Sequence, residues 1–344
     1  MRLRRSIGGG VVVAAVTALA GACAPPPASP PALSRDPAAD WGASSANGPI
    51  TPVPAPSALL PARVELGRRL FHEVRLSHDD SLACAGCHPL DGAGMDRRRH
   101  AQGVKGVEGE RNTPTVFNAA LNFRQFWDGR AVSLEAQIDG PINNPNEMRS
   151  SWPEVVGKLV RDASYVHAFS SAYAGPITAD LVRDAIATFE RTLVYTGSRF
   201  DRFLDGDPAA LSMEERQGYQ LFKELGCASC HQGANVGGNM FERLGIVREF
   251  FGQRGLPSES DLGRFNVTGH PEDRFVFRVP SLRLAALTAP YLHDGSIATL
   301  GDAIRLMARY QLGRTLKPTD AHAIEAFLGT LAGQPGGGVG ATTR

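Results

Sequence analysis

Cys84-Ala85-Gly86-Cys87-His88 and Cys227-Ala228-Ser229-Cys230-His231 are two copies of one pattern, and they use four of the five cysteines in the chain. Thiols at this spacing reach the two vinyl groups of one protoporphyrin, and the histidine that follows turns back to ligate its iron. Cysteine pairs alone also serve as dithiol redox motifs or as halves of a four-cysteine zinc site. A histidine in the fifth position both times favours covalent attachment, so the expected cofactors are two haem c groups.

The surroundings of the pentads repeat as well. Gly67-Arg68-Arg69-Leu70-Phe71 precedes the first and Gly218-Tyr219-Gln220-Leu221-Phe222 the second, each reading as a helix that delivers the chain into an attachment turn. The first copy has eight more residues between Phe71 and Cys84, among them His72, His78, Asp79 and Asp80. Ser212-Met213-Glu214-Glu215 has the form of a capping box. Thr178 is placed to cap a helix over 179–195, Thr299 one over 300–310 with Ile304, Met307 and Ala308 on one face, and Thr319 one over 320–331. Strand-like alternation is scarce, and Arg274 to Pro280 is the best short candidate. The expected class is mainly α, with two cytochrome-c-like haem domains and long ordered loops, because haem supplies much of each core.

A chain of 344 residues, 42% of them hydrophobic, has room for two such domains. Met1-Arg2-Leu3-Arg4-Arg5 is basic and Gly8 to Ala22 is uncharged and mostly small or apolar, which reads as a secretory signal over residues 1–22. The run is shorter than the ~20 apolar residues of a spanning helix. Export to the periplasm fits haem attachment, which takes place outside the bacterial cytoplasm. Cys23 resembles the lipidated cysteine of bacterial lipoproteins, although Ala20 stands where that pattern has Leu; simple cleavage after Ala22 is the alternative. Residues 24–61 hold 11 of the 24 prolines, so 23–59 reads as a disordered tether. Two domains over 60–205 and 206–332 follow, and 333–344 reads as a Gly-rich tail. Without Arg2, Arg4 and Arg5 the chain has 33 basic against 35 acidic side chains, which gives no basis for nucleic-acid or acidic-membrane binding.

Between the pentads lie Arg111-Asn112-Thr113-Pro114-Thr115, Gln125-Phe126-Trp127-Asp128-Gly129-Arg130-Ala131 and Gly140-Pro141-Ile142-Asn143-Asn144-Pro145-Asn146-Glu147-Met148. After the second come Val279-Pro280-Ser281-Leu282-Arg283 and Leu287-Thr288-Ala289-Pro290-Tyr291-Leu292-His293-Asp294-Gly295. From about residue 60 to 332 this ordered set resembles the bacterial di-haem cytochrome c peroxidase family, which includes the MauG-type enzymes that oxidise protein side chains.

The resemblance implies that His88 is the proximal ligand of a peroxide-reacting haem, with Glu147 as distal acid and base and Gln137 as distal amide. Heterolysis of a peroxide needs one group to move a proton from the inner to the outer oxygen, and a carboxylate can do both halves. An isolated Glu would read as a solvated loop residue; the Gly140 to Met148 motif argues for catalysis. His231 matches the ligand of a second, high-potential haem, and Met307, fourteen residues after His293, the family's sixth ligand. Tyr310 is the rival, because MauG-type enzymes use a tyrosine there. Trp127 matches the tryptophan between the two haems, and a large core aromatic is its plainer role. Asn112, with the backbone carbonyls of Thr288 and Pro290, matches the family's calcium site. Many members carry a histidine that blocks the peroxidatic iron, and here Val104 stands at that position. An open or water-bound iron is therefore expected, with His100 ligation as the alternative.

Three functions follow. The leading one is reduction of hydrogen peroxide to water with electrons from a mono-haem cytochrome c or a cupredoxin, entering at the His231 haem and crossing by way of Trp127. The rivals are a MauG-like oxidase of partner-protein side chains and a di-haem electron carrier. The family is commonly dimeric, so a homodimer is expected.

Overall fold

The computed structural model describes residues 48–55 and 58–335. The helices are α1 (Pro61–Phe71), α2 (Cys84–Cys87), α3 (Leu134–Asn143), α4 (Trp152–Leu159), α5 (Ala163–Tyr173), α6 (Ala179–Glu190), α7 (Arg199–Leu204), α8 (Met213–Glu224), α9 (Phe265–Thr268), α10 (Leu300–Tyr310) and α11 (Pro318–Gly329). The only sheet among the described residues is two antiparallel ribbons. One pairs β1 (Tyr195–Thr196) with β4 (Gln334–Pro335), the other β2 (Phe241–Arg243) with β3 (Val276–Arg278), with Glu242 opposite Phe277. The chain is therefore mainly helical, as expected, and the strand candidate at Arg274 to Pro280 shortens to three residues. No helix among the described residues is long and apolar enough to cross a membrane.

The sequence repeat is a packing repeat. A Cβ on Gly67 of α1 would lie 1.9 Å from the Ala185 carbonyl oxygen of α6, and a Cβ on Gly218 of α8 would lie 1.9 Å from the Ala323 carbonyl oxygen of α11. Both glycines thus let one helix backbone rest on another, with Phe189 and Phe327 respectively flanking the crossing. Around the first crossing Leu70, Phe71, Ile138, Leu159, Ile186 and Phe189 share one buried cluster. Around the second, Phe200, Tyr219, Phe222, Ile304, Ile324 and Phe327 share another. A third, smaller cluster of Leu244, Phe250, Phe251 and Phe277 packs against Met307 and Trp127.

Several boundaries differ from the sequence expectations. Thr178, Thr299 and Ser212 cap their helices as read, accepting from the amides of Leu181, Asp302 and Glu215. The helix read as 179–195 ends at Glu190, where Thr192 turns its hydroxyl back onto the Phe189 carbonyl at 2.7 Å and Asn118 captures the Leu193 carbonyl at 2.8 Å. Thr319 is not a cap: α11 starts at Pro318, whose fixed φ and missing N–H suit a first helical position, with Lys317 before it. Phe200 and Leu204 of α7 sit in the second cluster, ahead of the boundary read at 205.

The stretch read as a tether is anchored at its far end. Ile50 is fully buried, and Arg283, paired with Asp201 at 2.8 Å, also holds the Thr51 carbonyl, while Asp201 accepts the Val53 amide. Free chain over the whole of 23–59 is thus ruled out for these residues. Likewise, Gln334 and Pro335 pair with β1, although they fall within the stretch read as a tail, 333–344. The signal segment 1–22, Cys23, the tether up to 47 and residues 336–344 lie outside the described residues.

Candidate active site

Two cavities adjoin the two pentads. One, of about 190 Å³, is lined by Cys84, Cys87, His88, Gln137, Glu147 and Glu190 among others. The other, of about 250 Å³, is lined by Cys227, Cys230, His231 and Met307. None of these four cysteines is in a disulfide. Burial pushes all four up, Cys87 and Cys227 to about 11. A redox dithiol needs the opposite shift. Nor do the cysteines converge on an ion: among the described residues, the one group of three acidic, cysteine or histidine side chains close enough to share a cation is Asp261, His293 and Asp294.

The histidines suit iron better than proton chemistry. His88 Nδ1 lies 3.0 Å from the Gly94 carbonyl, which fixes the tautomer with Nε2 as the lone-pair nitrogen, and burial lowers its pKa. Burial holds His231 neutral as well, at about 4. Its Nδ1 lies near the Val236 and Pro280 carbonyls with neither aligned as a hydrogen bond. Paired neutral thiols and a neutral imidazole on one cavity wall fit a covalently attached haem in each case.

Part of the wall of the His88 cavity is built by α3 and the turn after it. Ser133 caps α3 through the Ala136 amide, and the helical spacing puts Leu134, Gln137, Ile138 and Pro141 on the cavity wall. Gly140 allows this close fit, since a Cβ there would lie 2.5 Å from the Phe126 ring. Glu147 accepts from Asn144 Nδ2 at 2.7 Å. Burial raises its pKa, opposed by that bond and by the Arg130 and Arg111 charges. Both arginines line the cavity and share the buried carboxylate of Asp128, at 2.9 and 2.7 Å. The sequence reading quoted these arginines within their motifs and assigned them no role.

His88 is the one histidine that lines this cavity. Val104 is buried away from it, its amide donating to the Glu147 carbonyl at 2.8 Å. Gly103 lets that loop approach, for a Cβ would lie 2.0 Å from the Asn146 carbonyl oxygen. His100 does not line the cavity either; its Nδ1 faces Glu108 Oε1 at 3.1 Å.

Met307 lies on the α10 face that lines the His231 cavity, with Ala303, Ile304 and Ala308. Tyr310 is absent from that wall, its ring packed edge-on against Phe250 at 5.1 Å between centroids. Trp127 lines both cavities, its indole N–H donating to the Asn112 carbonyl at 3.0 Å. Asn112, Thr288 and Pro290, the three residues matched to calcium, all line the His231 cavity.

Glu190 was not singled out in the sequence, where it falls within the helix read as 179–195. It lines the His88 cavity, is buried, and its Oε2 has no hydrogen-bond partner. Burial raises its pKa to about 8, with lesser effects from Arg191 and Glu135, which pair with each other. The folded state therefore keeps a proton that the unfolded state releases near 4.5, so stability falls as pH rises from about 4.5 to about 8 and is flat beyond. At ~1.4 kcal/mol per unit this amounts to a few kcal/mol. Thermal melts of Glu190→Gln holoprotein are expected to lose this slope and to exceed the parent melting temperature above pH 8; an unchanged slope would contradict it.

The family profile of di-haem cytochrome c peroxidases matches residues 61–209. The chain is 44% identical over 289 residues to cytochrome c peroxidase Ccp of Escherichia coli (strain K12), covering 83% of this chain but only 62% of that protein's length. Against cytochrome c551 peroxidase of Nitrosomonas europaea it is 42% identical over 297 residues, covering 86% of this chain and 87% of the other. A solved structure of a MauG-like protein associated with microbial copper homeostasis aligns with a TM-score of 0.73 at 29% identity, over 82% of this chain and 93% of that one. On the profile match and the identity to these peroxidases, the chain belongs to the di-haem cytochrome c peroxidase family.

Proposed function

We propose that the protein reduces hydrogen peroxide to two waters, taking two protons and two electrons, with a mono-haem cytochrome c or a cupredoxin as the donor. The observation that carries this reading is a carboxyl, Glu147, facing the same cavity as His88 with no second histidine to close it. Haem supplies the redox-active iron at which peroxide binds and from which electrons reach it. Glu147 takes the proton from the inner oxygen of the peroxide and returns it to the outer one. Its raised pKa favours holding the proton, and Arg111 and Arg130 keep the carboxylate accessible for the next turnover. Gln137 orients the bound peroxide from α3.

In this reading the chain has two cytochrome-c-like haem domains, one centred on the α1–α6 crossing and one on the α8–α11 crossing. Met307 closes the second as an electron-entry site, since a thioether favours the reduced metal. Trp127, on the wall common to both cavities, is the side chain through which electrons pass. Asn112 with the Thr288 and Pro290 carbonyls offers hard oxygen ligands to calcium beside that wall. Export by the amino-terminal segment, with lipidation of Cys23 or cleavage before it, places the enzyme in the periplasm, and a homodimer is its working state.

The MauG-like reading, oxidation of a partner protein's side chains, draws on the same open His88 cavity. Met307, standing where those enzymes have tyrosine, weighs against it. A pure electron carrier has no use for Glu147 and Gln137 at an open iron. Peroxide-dependent oxidation of reduced cytochrome c, measured with as-isolated and prereduced protein, tests the proposal. Activity in both states is expected. Activity in neither overturns peroxidase function, and activity only after prereduction overturns the open iron.

A further inference from the structure

Among the described residues two arginines, Arg278 and Arg283, are almost wholly buried, and only one of them has a carboxylate. Arg283 is paired with Asp201 at 2.8 Å. Arg278, at the end of β3 and 4% exposed, donates from Nε to the Phe126 carbonyl at 3.2 Å, while its Nη1 has no partner. Burial depresses its pKa to about 10 with no acidic side chain opposing the shift. An uncompensated buried guanidinium costs several kcal/mol, so a site of this kind is built for an anion. A second unfilled donor accompanies it: Thr113 Oγ1 is also buried without a partner. Both residues line both cavities, and Arg278 is the only charged residue that does so. Its backbone N–H is fixed to the Trp127 carbonyl at 2.9 Å.

We infer that Arg278 and Thr113 form a carboxylate-binding site in the wall between the cavities, which receives a propionate from the haem on each side. The guanidinium has five donors in a planar fork matched to carboxylates, enough for two partners. One positive charge then neutralises a propionate of each haem, so Arg278 is a positioning residue that ties the two reduction potentials together.

The inference rests on the two-haem reading. Its test is a spectroelectrochemical titration of holoprotein, with resonance Raman spectra of the propionate-bending region, for Arg278→Met, Arg278→Lys and Thr113→Val. In Arg278→Met an unpaired propionate favours the oxidised iron at both sites, so both midpoint potentials are expected to fall and the propionate bands to move. Arg278→Lys keeps the charge and is expected to shift the potentials less, while Thr113→Val, a near-isosteric loss of one hydroxyl, moves the bands with a smaller potential shift. Two bound haems with both potentials and bands unchanged in the variants would overturn the site, as would a shift confined to one haem. Should Arg278→Met fail to fold, unchanged bands in both other variants overturn it as well. Fewer than two haem equivalents in parent protein, by pyridine haemochrome assay, would instead sink the two-haem reading beneath it.

Discussion

Glu147→Gln lowers peroxide turnover by about a hundredfold or more, the scale of a lost positioned proton transfer. Glutamine has nearly the same volume as glutamate, and its carbonyl can still accept from Asn144 Nδ2, which holds Glu147 Oε1 at 2.7 Å in the parent. The turn from Asn144 to Met148 is therefore preserved, as is the bond from the Val104 amide to the residue 147 carbonyl. What is lost is the capacity to take a proton from one oxygen and give it to another. Haem content and the spectrum of the His231 haem should be unchanged, so the defect is confined to turnover with peroxide. His100→Ala is the control: with its imidazole turned to Glu108 and off the cavity wall, its removal is expected to leave turnover within about twofold, well below the catalytic effect. A Glu147→Gln enzyme that turns over at the parent rate would remove the carboxyl from the mechanism.

The second large effect is on stability. Gly67→Ala and Gly218→Ala each drive a methyl group to within 1.9 Å of a carbonyl oxygen on the crossing helix. Overpacking costs ~1–3 kcal/mol where side chains can give way. Here the obstacle is backbone, so the upper end or beyond is expected, a fall of roughly 5–10 °C in Tm for a domain of this size. Gly157→Ala, in the last turn of α4 with nothing within 4 Å of the added Cβ, is the counter-example. It should stabilise by ~0.5–1 kcal/mol through helix propensity alone. Differential scanning calorimetry of the three variants separates the cases. Equal melting temperatures for Gly218→Ala and the parent would mean the α8–α11 crossing does not need its glycine.

The pentads and the Gly-x-x-Leu-Phe repeats were legible because they encode local geometry: a spacing that fits one porphyrin edge, and a residue without a side chain where two helices touch. Caps at Thr178, Ser212 and Thr299 were legible for the same reason, each resting on a residue three positions on. The anchoring of Ile50 was not. A Pro-rich segment looks unable to build a core, and nothing local says that Arg283, more than two hundred residues later, will hold its backbone. Glu190 and Arg278 were invisible for a related reason: a lone charge in sequence reads as surface, and only the fold shows it turned into a cavity without a partner. Met307 against Tyr310 lay between these extremes. Both fall on α10 three residues apart, and which one faces His231 depends on the helix's rotation, which Phe250 and its neighbours determine.

Low-temperature EPR of the oxidised, as-isolated protein tests most directly the proposed division of labour between one open and one closed haem site. Two ferric signals of comparable weight are expected: a high-spin species from the site of His88, where no second histidine lines the cavity, and a low-spin species from the site of His231 and Met307. Two low-spin signals with no high-spin component would contradict it.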